Sequence, residues 1–148
     1  MKKLFFGLAA LFLLLLAACG ASKQIDGAAL AHDLVTQLHF DDELSELEPD
    51  MAQKLYGIDG AESLHAYVSS GATAEEVAVF TFSDQSGAAR AADHLLAHLK
   101  SQKSAFERYI PSEVTRLNRA IIRTAHNTVV LCVCSDDRAE SLLQKYLE

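Results

Sequence analysis

Residues 77–99 read VAVFTFSDQSGAARAADHLLAHL, and residues 128–147 read TVVLCVCSDDRAESLLQKYL. Each begins as an apolar strand, passes through Ser-Asp, and continues as a helix rich in alanine and leucine. The long helix reaches from a cap at Ser83 and Asp84 to about Tyr109, before Pro111. Its stripe of Ala88, Ala91, Ala92, Leu95, Leu99, Gln102 and Phe106 keeps a 3.6-residue period. The second helix, capped around Ser135 to Asp137, offers Ala139, Leu142, Leu143, Tyr146 and Leu147 as its buried face. A further strand precedes each stretch: Glu62 to Ser69 before the first, and Ala120 to Ala125 before the second, across the turn His126-Asn127. The pattern predicts an α+β fold built from two β-β-α units. They would form a four-stranded, mainly antiparallel sheet with its helices packed on one face.

An N-terminal helical segment comes first. Leu30, Ala31, Leu34, Val35 and Leu38 recur at helical spacing behind a cap at Asp26. Asp41 to Asp50 (DDELSELEPD) is strongly acidic, yet Leu44, Leu47, Met51 and Leu55 keep a helical stripe through it. Pro49 suits the first turn of a short helix and Gly57 its end. The acids do not follow a calcium-loop pattern and read as a solvated face.

The chain opens with Lys2 and Lys3, then an uncharged apolar run from Leu4 to Ala18. That run is shorter than the roughly 20 residues of a spanning helix, and it fits the apolar region of a signal peptide over residues 1–18. Leu16-Ala17-Ala18-Cys19 resembles a lipobox, which implies cleavage between Ala18 and Cys19. Cys19 would then carry acyl chains of the palmitate kind. The alternative is an ordinary secretory signal with a chance cysteine. More than one acyl chain is enough for stable anchoring. Residues 19–26 would be the lipidated cysteine and a short tether, and residues 27–148 a single α+β domain. The expected location is the extracytoplasmic face of the cell membrane.

The 13 basic residues less the two signal lysines leave 11 against 20 acidic ones, a net charge of −9. Such a balance excludes nucleic acid as a natural partner. Cys132 and Cys134 stand two apart on a strand, so they share one face. They read as reduced, small, buried hydrophobes, with a soft-metal pair as the alternative. His94 and His98 stand four apart on the long helix and read as a surface pair. No nucleophile elbow, HExxH or phosphate loop is present. No catalytic residue, metal ligand or cofactor is assigned.

The connection between the first two strands, SSGATAEE at 69–76, is made of small residues ending in two acids. Gly71 supplies a corner. Thr73 to Glu76 matches a capping box and predicts a single helical turn. A structural corner is one reading. The other is a binding groove formed by Ser69, Ser70, Gly71, Thr73, Glu75 and Glu76.

FDDEL, LYGID, SSGATAEEVAVF, QKSAFERYIPSEVTRLNRAII and VVLCVCSDD follow one another along the chain. In these stretches the sequence resembles the lipoproteins with Domain of Unknown Function 4358, over nearly all of the region after the signal. His126-Asn127-Thr128 stands where that family often has Gly-x-Tyr. The resemblance implies a lipid-anchored location and an α+β fold, with no reaction and no catalytic residues. The expectation is therefore a membrane-anchored binding or accessory module for an envelope protein partner. The alternative is a small hydrolase or metal-dependent enzyme using His65 or His126 with acids near the groove.

Overall fold

A computed structural model describes residues 24–148. The expected signal segment, the Ala18–Cys19 junction and the expected lipidation site at Cys19 lie outside the described residues. The described chain runs α1 (Gly27–Gln37), β1 (Ser45–Glu46), α2 (Pro49–Tyr56), β2 (Ser63–Val68), β3 (Glu76–Thr81), α3 (Gln85–Tyr109), α4 (Glu113–Asn118), β4 (Ile121–Ala125), β5 (Thr128–Val133) and α5 (Ala139–Leu147). The strands form one antiparallel sheet in the order β1-β2-β3-β5-β4. The fold is α+β, as expected, with five strands rather than four. The extra one is the two-residue β1, which pairs Ser45 with Val68 and Glu46 with Tyr67 on the sheet edge.

The caps form where side-chain chemistry demands them. Asp26 accepts from the amide of Ala29 at the start of α1, and Asp84 accepts from that of Gly87 at the start of α3. Pro49 opens α2, and Gly57 closes it at a left-handed φ of 63°. Before α5, the Asp136 carboxylate accepts from the amide of Arg138 at 3.0 Å and also receives the Arg138 guanidinium.

The expectation of helices on one face is corrected. Both faces are covered. Ala78, Phe80, Val129 and Leu131 pack beneath α2, α3 and α4, with Leu95 and Leu117 fully buried among them. Val77, Val79, Val130 and Cys132 face the opposite way, beneath α1 and α5. The two long-stretch helices thus lie on opposite sides of the sheet. The physical reason is visible in β3 and β5. Every residue of both is buried, as a strand sandwiched between two layers must be. Their runs of continuous apolar residues already carry that signal. Edge strand β4, by contrast, leaves Arg123 and Thr124 exposed.

Two further differences bear on the site. Glu113–Asn118 forms a helix, α4, in a stretch the periodicity left unassigned. The helical stripe through Asp41 to Asp50 breaks into a loop and β1 before α2 begins.

Candidate functional site

The connection from β2 to β3 makes no helical turn. Glu76 is the first residue of β3, and its carboxylate is drawn away from Thr73. The Tyr56 hydroxyl donates to it at 2.8 Å, and His98 Nε2 lies 3.0 and 3.1 Å from its two oxygens. Glu75 turns the other way. It accepts from the amides of Asp41 and Asp42, at 3.0 Å each, and from the Thr73 hydroxyl at 3.1 Å. The capping-box geometry fails because both carboxylates have stronger long-range partners.

Those partners make the connection a junction of several elements. Arg116, on α4, reaches Asp41, Glu113 and Glu75 together, and donates to the Ser135 hydroxyl at 3.0 Å. Its side chain is 9% exposed and that of Glu75 is fully buried, so this is an interior ion pair. The Ala74 amide donates to Glu113 at 2.8 Å. Ser69 donates to the Thr73 carbonyl at 2.6 Å, and Ser70 gives both its amide and its hydroxyl to Asp42. Those bonds from Ser70 hold the Asp42 carboxyl below the usual carboxylate range. Gly71 sits at the corner with φ 98°.

A cleft of about 300 Å³ opens beside this junction. Leu47, Met51, Leu55, Val68 and Phe106 form apolar walls, while Ser69, Gly71, Thr73, Glu75 and Glu76 line the polar side. Five of the six residues read as a groove thus border one cavity. Ser70 does not, because it is committed to Asp42. Met51 is 58% exposed and Leu55 43%, large apolar side chains left open at the cleft. Glu43, Glu46, Glu48 and Asp50 stand exposed along the segment that supplies Leu47 and Met51.

His98 corrects the surface-pair reading. Its side chain is only 7% exposed, wedged between Glu76 and the Tyr56 ring, whose centroid lies 4.7 Å away. Burial, with the nearby Glu76 charge, pushes the Tyr56 phenol well above its ordinary value. His94 stays exposed near Gly57. Among the described residues, neither His65 on β2 nor His126 in the β4–β5 turn reaches a carboxylate. No group of three or more His, Cys, Asp or Glu side chains is placed to hold a metal ion among them.

Cys132 and Cys134 are free and buried, with their sulfurs 3.8 Å apart. The hydrogen bond between them splits the pair. It raises the Cys132 thiol, which burial raises further, and lowers Cys134 to about 7.

The family described as Domain of unknown function (DUF4358) matches residues 37–134, and the chain belongs to that family. The matched span contains every residue of the cleft and all of the Arg116 junction but Ser135. No curated protein and no solved structure matches the chain. Among the described residues, no helix is long and apolar enough to cross a membrane.

Sequence reasoning missed three of the residues that build the junction: Tyr56, His98 and Arg116. A signal existed for the first two. Strand alternation puts Glu76 on the same face as Ala78 and Phe80, so a carboxylate there had to find interior partners. For Arg116 the only local trace was Glu113 three residues earlier.

Proposed function

We propose that this protein is a lipid-anchored, extracytoplasmic binding module, accessory to an envelope protein partner. The cleft at the β2–β3 connection is its docking site. The carrying observation is the cleft's composition. Its walls are apolar, Met51 and Leu55 are exposed there, and the adjoining segment displays four acids. That surface complements a peptide segment with one apolar anchor side chain flanked by Lys or Arg. The carboxylates of Glu75 and Glu76 are held by interior partners, so they shape the cleft rather than compete for solvent. The lipobox-like Leu16-Ala17-Ala18-Cys19 supports the anchored location.

The test places a photo-reactive side chain at Met51 in the cell-expressed full chain. One envelope protein captured in stoichiometric yield, and lost with Leu55→Asp, supports the reading. Capture unaffected by Leu55→Asp would overturn the cleft as the docking site.

A second reading, a small hydrolase or metal-dependent enzyme, is favoured by the Glu76–His98 contact beside the cleft. Turnover of ester, peptide or phosphoester probes that His98→Gln abolishes, with the fold retained, would establish it. A wild-type chain inert to all three would end the hydrolase version.

A further inference from the structure

The sulfurs of Cys132 and Cys134 lie 3.8 Å apart on the side of the sheet away from the cleft. The residues are 1% and 6% exposed. A separate cavity of about 200 Å³ adjoins both, bounded by Arg119, Ile121, Asp136 and Ala139. Two neighbouring thiols facing one small cavity are more than packing requires. We propose that Cys132 and Cys134 form a two-coordinate site for a soft monovalent cation, of which copper(I) is the natural candidate.

Geometry and ligand chemistry both select that class. Thiolates prefer soft metals. Zinc in a structural site asks for four ligands, whereas no third or fourth ligand joins the two sulfurs among the described residues. A cation content with two ligands in line needs only the pair. Two bonds in line, taken at the zinc–thiolate length of about 2.3 Å, would span about 4.6 Å. The sulfurs must therefore part by about 0.8 Å from their present 3.8 Å, and the adjoining cavity gives them room. Both thiols lose a proton to solvent on binding, so a bis-thiolate of net charge −1 forms. No oxidant or reductant is needed. Arg119 on the cavity wall is paired with Asp137, and Asp136 and Glu140 line the same cavity, so it is the bound cation that holds the charge of the two thiolates to −1. Val130 and Leu142 belong to the same buried apolar cluster as both cysteines.

The experiment uses the full chain carrying Cys19→Ala, in detergent, reduced and without oxygen, so that only the two strand thiols remain. Copper(I) is titrated against a coloured copper(I) chelator, with zinc in a parallel series. The expected result is one equivalent of copper withdrawn from the chelator, with zinc bound at least a hundredfold more weakly. Cys132→Ala and Cys134→Ala should each weaken copper binding at least tenfold, and X-ray absorption of the loaded unsubstituted pair should show two sulfur neighbours. The absorption result needs no variant, so it decides even if a substitution unfolds the chain. Copper left wholly with the chelator, equal uptake by the double variant, zinc bound as tightly, or a shell without two sulfurs would each overturn the proposal.

Discussion

Arg116 illustrates how much one side chain can hold. It is the positive charge facing the fully buried Glu75 carboxylate, and it ties α4 to the loop at Asp41 and to Ser135. Removing one partner of an interior ion pair leaves the other charge uncompensated, which costs about 3–5 kcal/mol. Arg116→Ala should lose stability in that range by urea denaturation, and Arg116→Lys should recover only part of it, because an ammonium lacks the guanidinium's fork. Equal stability of Arg116→Ala and wild type would refute the junction's role.

Tyr56 makes a pH prediction with a definite sign. Its folded phenol titrates above the ordinary value, so the unfolded chain loses this proton first as pH rises. The stabilisation is fully present below pH about 10 and fades as pH climbs above it toward the folded value. Wild-type stability should therefore fall above pH about 10. Tyr56→Phe should be less stable at neutral pH, having lost its bond to Glu76, but should show a shallower alkaline decline. Parallel declines in the two proteins would show that Tyr56 does not titrate as its burial demands.

Among the elements, β3 and β5 were the most legible in sequence, because uninterrupted apolar runs ending in Ser-Asp leave little choice but a central strand followed by a helix. The same runs also carried the message that helices cover both faces, although pairing the two β-β-α units suggested a single layer. The cap residues Asp26, Asp84, Pro49 and Gly57 did what their chemistry requires. The edge strand β1 was not legible. Two residues give no period, and what places them is the backbone bond from Leu47 to the Ala66 carbonyl at 2.8 Å. The groove residues Ser69 to Glu76 were visible as a bland connection. Their partners at Tyr56, His98 and Arg116 were not, because such contacts join positions 20 to 41 apart and depend on the finished fold.

The join of β3 to α3 yields another test. A methyl group on Gly87 would meet the Phe82 side chain at 2.8 Å, closer than real contacts allow. Phe82 is itself buried, so the crowding has no easy exit. Gly87→Ala should therefore destabilise by about 1–2 kcal/mol, overpacking outweighing the gain of about 1 kcal/mol in helix propensity. A thermal midpoint at or above that of wild type would mean that Phe82 can move aside.

At the scale of the whole molecule, the chain enters the fold at one end of the sheet and presents the cleft at the other. Gly27 lies over Thr81 and Ser63, whereas the cleft gathers around Val68 and Glu76, the opposite ends of the same paired strands. Five strand intervals of about 3.3 Å separate those ends by roughly 17 Å. If residues 19–26 are a tether, its attachment at the Gly27 end leaves the cleft open. If Cys19 carries the lipid, Cys19→Ser should release the protein into the medium or leave it unprocessed. A processed Cys19→Ser variant that stays membrane-bound would rule out lipid at that residue.

The central claim is that the β2–β3 cleft binds an envelope protein, and cross-linking from Met51 in living cells, read by mass spectrometry, tests it most directly. The account predicts one stoichiometric envelope partner, captured through a segment that places an apolar side chain beside Lys or Arg, and lost with Leu55→Asp. No partner above background, or one captured equally well with Leu55→Asp, would contradict it.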